Sequence, residues 1–156
     1  MNYENWVAEL PDEFKSDPLW HVEAYRLALL IADIAWYDAT KLIQDIRTKG
    51  LADQLYRATG SISANLSEGY SRKSGKDQAR FYEYAQGSAR EAKGWYYQGR
   101  HILTSEVSHH RIKLLTSIIK LTSKMIPNKR GYKISEEQAE YRTIELNSLL
   151  SNIPLP

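Results

Sequence analysis

Residues 69–77, Gly-Tyr-Ser-Arg-Lys-Ser-Gly-Lys-Asp, carry the glycines and cations of a loop that could cradle phosphate. Such a loop needs four residues between its glycines, a Ser or Thr after the Lys to hold magnesium, and a strand leading into it. Here five residues separate Gly69 from Gly75, Asp77 follows Lys76, and a helical pattern precedes the loop. Nucleotide hydrolysis is therefore not its chemistry. A two-metal carboxylate site in a helical bundle requires a Glu-x-x-His step on each of two helices and two further glutamates. Glu106-Val-Ser-His109 is the one such step in the chain, so the set cannot be completed. His109 and His110 are adjacent, cannot share a helix face and read as solvated, while His21 and His101 are isolated. None of the ten arginines is followed by His after four to six residues, the pair used by one class of all-α ribonucleases. No serine stands in a recognisable motif with a His and a carboxylate. The chain has no cysteine, which excludes disulfides and thiolate metal sites. The expectation is a protein with no catalytic residue, no metal and no cofactor.

A cationic surface is the chemistry that remains. Lys76, Arg80, Arg90 and His101 recur on one face of the helix after the loop, with Gly87 and Gly94 between them and Glu83 interrupting the run. Arg72 and Lys73 extend that face into the loop. A nucleic-acid backbone needs such an accessible row of cations, and Tyr70 or Tyr97 could stack on bases. A charged helix face that is merely solvated is the competing reading. The overall charge of +2 conceals a division along the chain. Residues 1–50 hold 5 Lys and Arg against 9 Asp and Glu, residues 51–104 hold 8 against 5, residues 105–134 hold 7 against 1, and residues 135–156 hold 1 against 4. A basic middle between acidic ends attracts polyanions locally, or pairs with the chain's own acidic tail.

The elements that must position these residues are helical. At 156 residues and 42% hydrophobic, the chain suits one domain. Asp17-Pro18 supplies an N-cap and a first-turn proline. Val22, Tyr25, Leu29, Ala32, Trp36, Ala39, Ile43 and Ile46 then recur at steps of three and four, which predicts one buried stripe of a long helix reaching Arg47. A second helix after Gly50 points Leu51, Leu55, Ala58, Ile62 and Leu66 inward and is closed by Gly69 as a left-handed cap. Ser74 and Asp77 open a third helix as a capping box, with Phe81, Ala85, Ser88, Ala92, Trp95, Gly99 and Ile102 as its core stripe. A fourth runs from about Glu106 to Ile126 with Val107, Leu114, Ile118, Leu121 and Met125 inward and Pro127 beyond it. Ser135 with Gln138 predicts a short fifth helix over 136–151 carrying Tyr141, Ile144, Leu149 and Leu150. The expected fold is all-α: an up-down-up-down four-helix bundle over 17–126, an N-terminal arm over 1–16, and a linker with an acidic C-terminal helix over 127–156. No apolar run approaches the roughly 20 residues that span a bilayer, and the first residues lack the regions of a signal peptide, so a cytoplasmic protein is expected.

The first helix has a second apolar face made by Trp20, Leu27, Ile31 and Ile34. A helix apolar on two sides must be covered on both. Either the arm or the fifth helix covers this face, or it is an interface between subunits, and we assign it to the interface.

Glu68 falls in the last turn of the second helix, where the helix dipole opposes a carboxylate, and Arg72 lies within reach to hold it. Ser61, Asn65 and Glu68 share a side of that helix with Arg57 and form a polar seam that needs no ligand. The run Ser61-Ile-x-x-Asn65-Leu-x-Glu68-Gly69, the following Arg72, the Lys76-Asp77 helix start and the Gly87-Ser88-x-x-Glu91 step, taken together, resemble the four-helix-bundle family encoded within intervening sequences of bacterial 23S rRNA genes. The resemblance covers about residues 18–126. It implies a small bundle that forms a ring-like homopentamer with no enzymatic activity. Accessory proteins of diversity-generating retroelements are similar in fold, which implies RNA and a reverse transcriptase as partners of a basic surface.

Overall fold

The computed structural model describes residues 1–131 and 146–156, and among them every regular element is helical. Two short helices, α1 (Tyr3–Glu9) and α2 (Asp12–Ser16), precede a 3-10 turn at Pro18–His21. Four long helices follow: α3 (Glu23–Leu42), α4 (Lys49–Tyr70), α5 (Gly75–Gly99) and α6 (Ser105–Lys129). Neighbours in sequence pack on one another from α3 to α6, and α6 closes back on α3. Residues 146–151 form a further helical turn. The fifth-helix signals at Ser135, Gln138, Tyr141 and Ile144 lie outside the described residues.

The local start signals act where the side-chain chemistry places them. Asp17 accepts from the Leu19 amide at 2.8 Å, but the helix it starts is only a 3-10 turn, and α3 begins afresh at Glu23. Ser74 accepts from the Asp77 amide at 3.0 Å and donates to Asp77 Oδ2 at 2.8 Å, which makes the box reciprocal through side chains. Thr104 accepts from the Val107 amide and caps α6. At the other end of α3, Asp45 accepts from the amide and side chain of Arg47, and Thr48 Oγ1 donates to the Leu42 carbonyl at 2.6 Å. These local bonds satisfy the backbone that a longer helix would have used, so α3 stops at Leu42 rather than Arg47. Pro127, expected beyond α6, sits inside its last turns.

Two glycines are required by close approach. Gly69 is helical, not left-handed, and an added Cβ would lie 2.8 Å from Tyr82 Cε1 on α5. Gly75 lets the start of α5 meet the Lys129 carbonyl at the end of α6, where a Cβ would collide with it. The left-handed cap expected at Gly69 is thus replaced by a helix-crossing contact, with α4 ending one residue later at Tyr70.

The largest correction concerns α3. Leu27 (2% exposed), Ile31 and Ile34 are buried in the chain's own core with Ala24, Ala28 and Leu30, so they are not an interface between subunits. Trp20 is covered by the N-terminal arm: its ring lies 6.4 Å from that of Trp6, whose Nε1 donates to Asp33 Oδ2 at 2.8 Å. From the stripe expected to be buried, Trp36 (61% exposed), Ile43 (54%) and Ile46 (86%) face outward instead. Buried alanines at 24, 28 and 35 let α3 sit close to its neighbours, and Leu27, Ile34 and Asp38 lie on the side opposite Trp36. On α5 the small residues Ala85, Ala92 and Gly99 are buried as expected. Tyr82 and Tyr96 take the inner positions beside them, and Phe81, Ser88, Trp95 and Ile102 are only partly covered.

Candidate nucleic-acid interface

The capping box of Ser74 and Asp77 fixes where α5 begins, and therefore which residues follow one another down its outer side. Steps of three and four place Lys76, Arg80, Glu83, Gly87, Arg90, Gly94, Tyr97 and His101 in one row. All six predicted site residues, Arg72, Lys73, Lys76, Arg80, Arg90 and His101, are exposed. An added Cβ at Gly87 or Gly94 would meet nothing within 4 Å, so the row has two open steps. Tyr84 and Tyr97 are more than half exposed beside it.

The structure gathers some of these residues and separates others. Arg72 and Arg80 converge on Phe81, with their guanidinium carbons 4.7 Å and 5.7 Å from the ring centre, and Tyr84 meets the same ring edge-on. Arg72 also pairs with Glu68, which confirms the expected contact at the end of α4. Arg80 lies 3.7 Å from Asp77, and Arg90 donates to Gln86 Oε1 at 2.6 Å. α5 ends at Gly99, so His101 stands in the turn beyond the helix, and by helix rise Lys76 and Tyr97 lie roughly 32 Å apart along the axis. The six are a stripe rather than a pocket. Arg130, at the end of α6, pairs with Glu83 at 2.5 Å and so adds a cation where the sequence shows only an interrupting carboxylate. The residues of the expected polar seam bond elsewhere in the described contacts: Ser61 Oγ donates to the Arg57 carbonyl and Asn65 Nδ2 to the Ser61 carbonyl, both four residues back on their own helix, while the Arg57 side chain pairs with Asp53 and Glu68 with Arg72.

A second cluster, unforeseen in the sequence, is buried. Arg111 of α6 is fully enclosed and donates from Nε to Asp38 Oδ2 at 2.8 Å and from Nη2 to Asp38 Oδ1 at 3.2 Å. The Tyr96 hydroxyl donates to Asp38 Oδ2 at 2.8 Å. Burial, with the Asp38 carboxylate beside it, holds the Tyr96 phenol well above its ordinary pKa. Arg111 further donates from Nη2 to the Pro154 carbonyl at 2.7 Å and from Nη1 to His110 Nδ1 at 3.0 Å. His110, expected to be solvated, is buried, and its Nε2 donates to the Leu149 carbonyl at 2.8 Å. Burial lowers its pKa from the ordinary 6.5. With Asp38, Tyr96 and Arg111 all at 0% exposure, no substrate reaches this cluster, and its role is to tie α3, α5, α6 and the C-terminal segment together. The available signal was an Asp and an Arg at core positions of apolar stripes, Ala35-Asp38-Leu42 and Val107-Arg111-Leu114.

The helix order, the Glu68–Arg72 closure of α4 and the α5 capping box can now be set against known families. A family profile described as 23S rRNA-intervening sequence protein matches residues 21–128. The chain belongs to that family. The match runs from the turn before α3 almost to the end of α6, so the four long helices are the family unit. In this 23S rRNA-intervening sequence protein, α1, α2 and residues 146–156 lie outside it. Comparisons with curated proteins and with solved structures give no match. Among the described residues no helix is long and apolar enough to cross a membrane, and no group of acidic or histidine side chains could hold a metal ion.

Proposed function

We propose that the protein is a non-enzymatic, self-assembling helical scaffold that binds single-stranded RNA along the outer face of α5, alone or while presenting it to a nucleic-acid enzyme such as a reverse transcriptase. The observation that carries this reading is the row of exposed cations on α5 with open glycine steps between them. Phosphates can approach the helix backbone at those steps, and flanking tyrosines offer rings for bases. The short connections at 43–48, 71–74 and 100–104 support an up-down-up-down order, which leaves one whole side of α5 outward. Assembly is supported by the apolar surface of Trp36, Tyr37, Ile43, Ile46 and Tyr56, whose occupant is a second copy of the chain. The acidic first 50 residues of one copy complement the basic α6 of the next. Such a head-to-tail contact closes into a ring when the rotation between copies is a whole fraction of a turn, one fifth in a homopentamer.

Binding of single-stranded RNA measured over a range of salt tests the RNA reading. Each neutralised phosphate contributes about −0.7 to the log–log slope. Replacing Lys76, Arg80 and Arg90 together by Ala should flatten the slope by up to roughly 2 units while leaving the assembly intact. A second reading, a protein-interaction module without nucleic acid, is favoured by the carboxylates already paired with Arg72, Arg80 and Arg130. Absence of binding at about 50 mM salt, where backbone contacts are strong, would select it.

A further inference from the structure

The described C-terminal segment packs Ile153 into the core with Leu146 and Leu150 against it, and specific hydrogen bonds fix its backbone. The Leu149 carbonyl accepts from His110 Nε2, the Pro154 carbonyl accepts from Arg111 Nη2, and the Ile153 amide donates to the Met1 carbonyl at 2.9 Å. Ile153 is the buried side chain of the segment, while Leu155 and Pro156 border a groove with Trp36, Tyr37 and Lys41. Two of the three anchors therefore belong to adjacent residues of α6 that also bond each other.

The protonation state of that pair is fixed by geometry. A guanidinium has only donors, so His110 Nδ1 must accept from Arg111, and Nε2 must carry the hydrogen that meets Leu149. Only the neutral ring satisfies both neighbours. A second proton would go on Nδ1, pointing at Arg111 Nη1 and adding a positive charge beside one already buried.

We propose that residues 149–156 are a latch seated on His110 and Arg111, and that protonation of His110 unseats it, uncovering the α6 side of the bundle and freeing the groove beside Trp36. Among the described residues, the charged and titratable groups facing His110 are Arg111 on its own helix, Asp38 from α3 and, through Asp38, Tyr96 from α5; residues 149 and 154 present carbonyls. Asp38 favours a charged ring, but it is already engaged by three hydrogen bonds from Arg111 and Tyr96. The Leu149 carbonyl also favours a charged ring, but burial under the segment, the largest cause, acts with Arg111 against the charge and lowers the pKa. The sign follows: the unlatched ring binds its proton more readily than the latched one. Seating is complete well above 6.5 and weakens as pH falls through that value toward the lower latched pKa.

Amide hydrogen exchange on the full chain between pH 7.5 and 5.5, corrected for the intrinsic rate, tests the latch. Protection of the Ile153 amide should fall by at least about threefold over that range, while core amides of α6 such as Leu114 and Ile118 hold theirs. The titration midpoint of the His110 ring, followed by nitrogen chemical shift in the same sample, should coincide with the loss. In His110→Gln, whose amide both donates and accepts without titrating, the Ile153 profile should be flat. A flat wild-type profile, parallel loosening of α6, a ring midpoint away from the transition, or an unchanged pH response in His110→Gln would each overturn the proposal. RNA binding plays no part in this measurement.

Discussion

At the scale of single residues, the decisive chemistry is buried. Asp38 and Arg111 are 73 positions apart in sequence, and each neutralises the other only because α3 and α6 pack together. Removing one partner leaves an uncompensated charge in the core, so Asp38→Ala or Arg111→Met should cost about 3–5 kcal/mol in denaturant unfolding. The double replacement Asp38→Leu with Arg111→Met should recover most of that loss, and a loss equal to the sum of the singles would contradict the pairing. Glu68 and Arg72 are a different case. Both side chains are about half exposed, so the pair and the contact of Arg72 with Phe81 together contribute on the order of 1 kcal/mol at most. Arg72→Ala should lower the melting temperature by about 2–4 °C or less in a chain of this size. A melt unchanged in both Arg72→Ala and Glu68→Gln would remove this account of the α4 terminus.

At the scale of elements, glycines report what each helix meets. Gly69→Ala substitutes a better helix former, yet its Cβ collides with the Tyr82 ring and with Phe81 Cβ, both on α5. It should destabilise by about 1–3 kcal/mol, as overpacking does. Gly87→Ala meets nothing within 4 Å and should stabilise α5 by about 0.5–1 kcal/mol. Opposite signs in two thermal melts check both statements. The same contrast explains what could be read in advance. Helix starts at Ser74 and the inward set of α4, Leu55, Ala58, Ile62 and Leu66, follow from local bonding and a clean amphipathic stripe. The exposure of the α5 cations was legible for the same reason. The buried side of α3 was not, because apolar residues surround that helix and periodicity cannot choose among faces. Small alanines and Asp38 make the choice, through partners on α5 and α6. Likewise His110 carries no local sign of burial, and the stripe position of Arg111 does not name its partners, since what encloses both includes residues at the far end of the chain.

At the scale of the whole molecule, the corrected geometry moves the expected assembly surface from Trp20, Leu27, Ile31 and Ile34 to the opposite side of α3. Burying each large side chain there contributes roughly 1.5–3 kcal/mol, and several per copy could sustain a ring. Trp36→Glu combined with Ile46→Glu should leave a folded monomer of 18.0 kDa in light scattering. Leu27→Glu should instead unfold the chain, and Trp20→Glu should loosen only the arm beside Trp6. A wild-type protein that scatters as a monomer at micromolar concentration would end the assembly proposal.

The four tryptophans occupy unlike surroundings: Trp6 and Trp20 lie against each other, Trp95 is mostly covered, and Trp36 stands 61% exposed. An indole in water emits at longer wavelength than an enclosed one and is open to collisional quenchers, so the red edge of the emission spectrum belongs to Trp36. Dilution of the protein should therefore shift emission to the red and raise iodide quenching as copies separate, and Trp36→Phe should abolish both changes. If the assembly proposal holds, Trp36 is an optical gauge of association that needs no label.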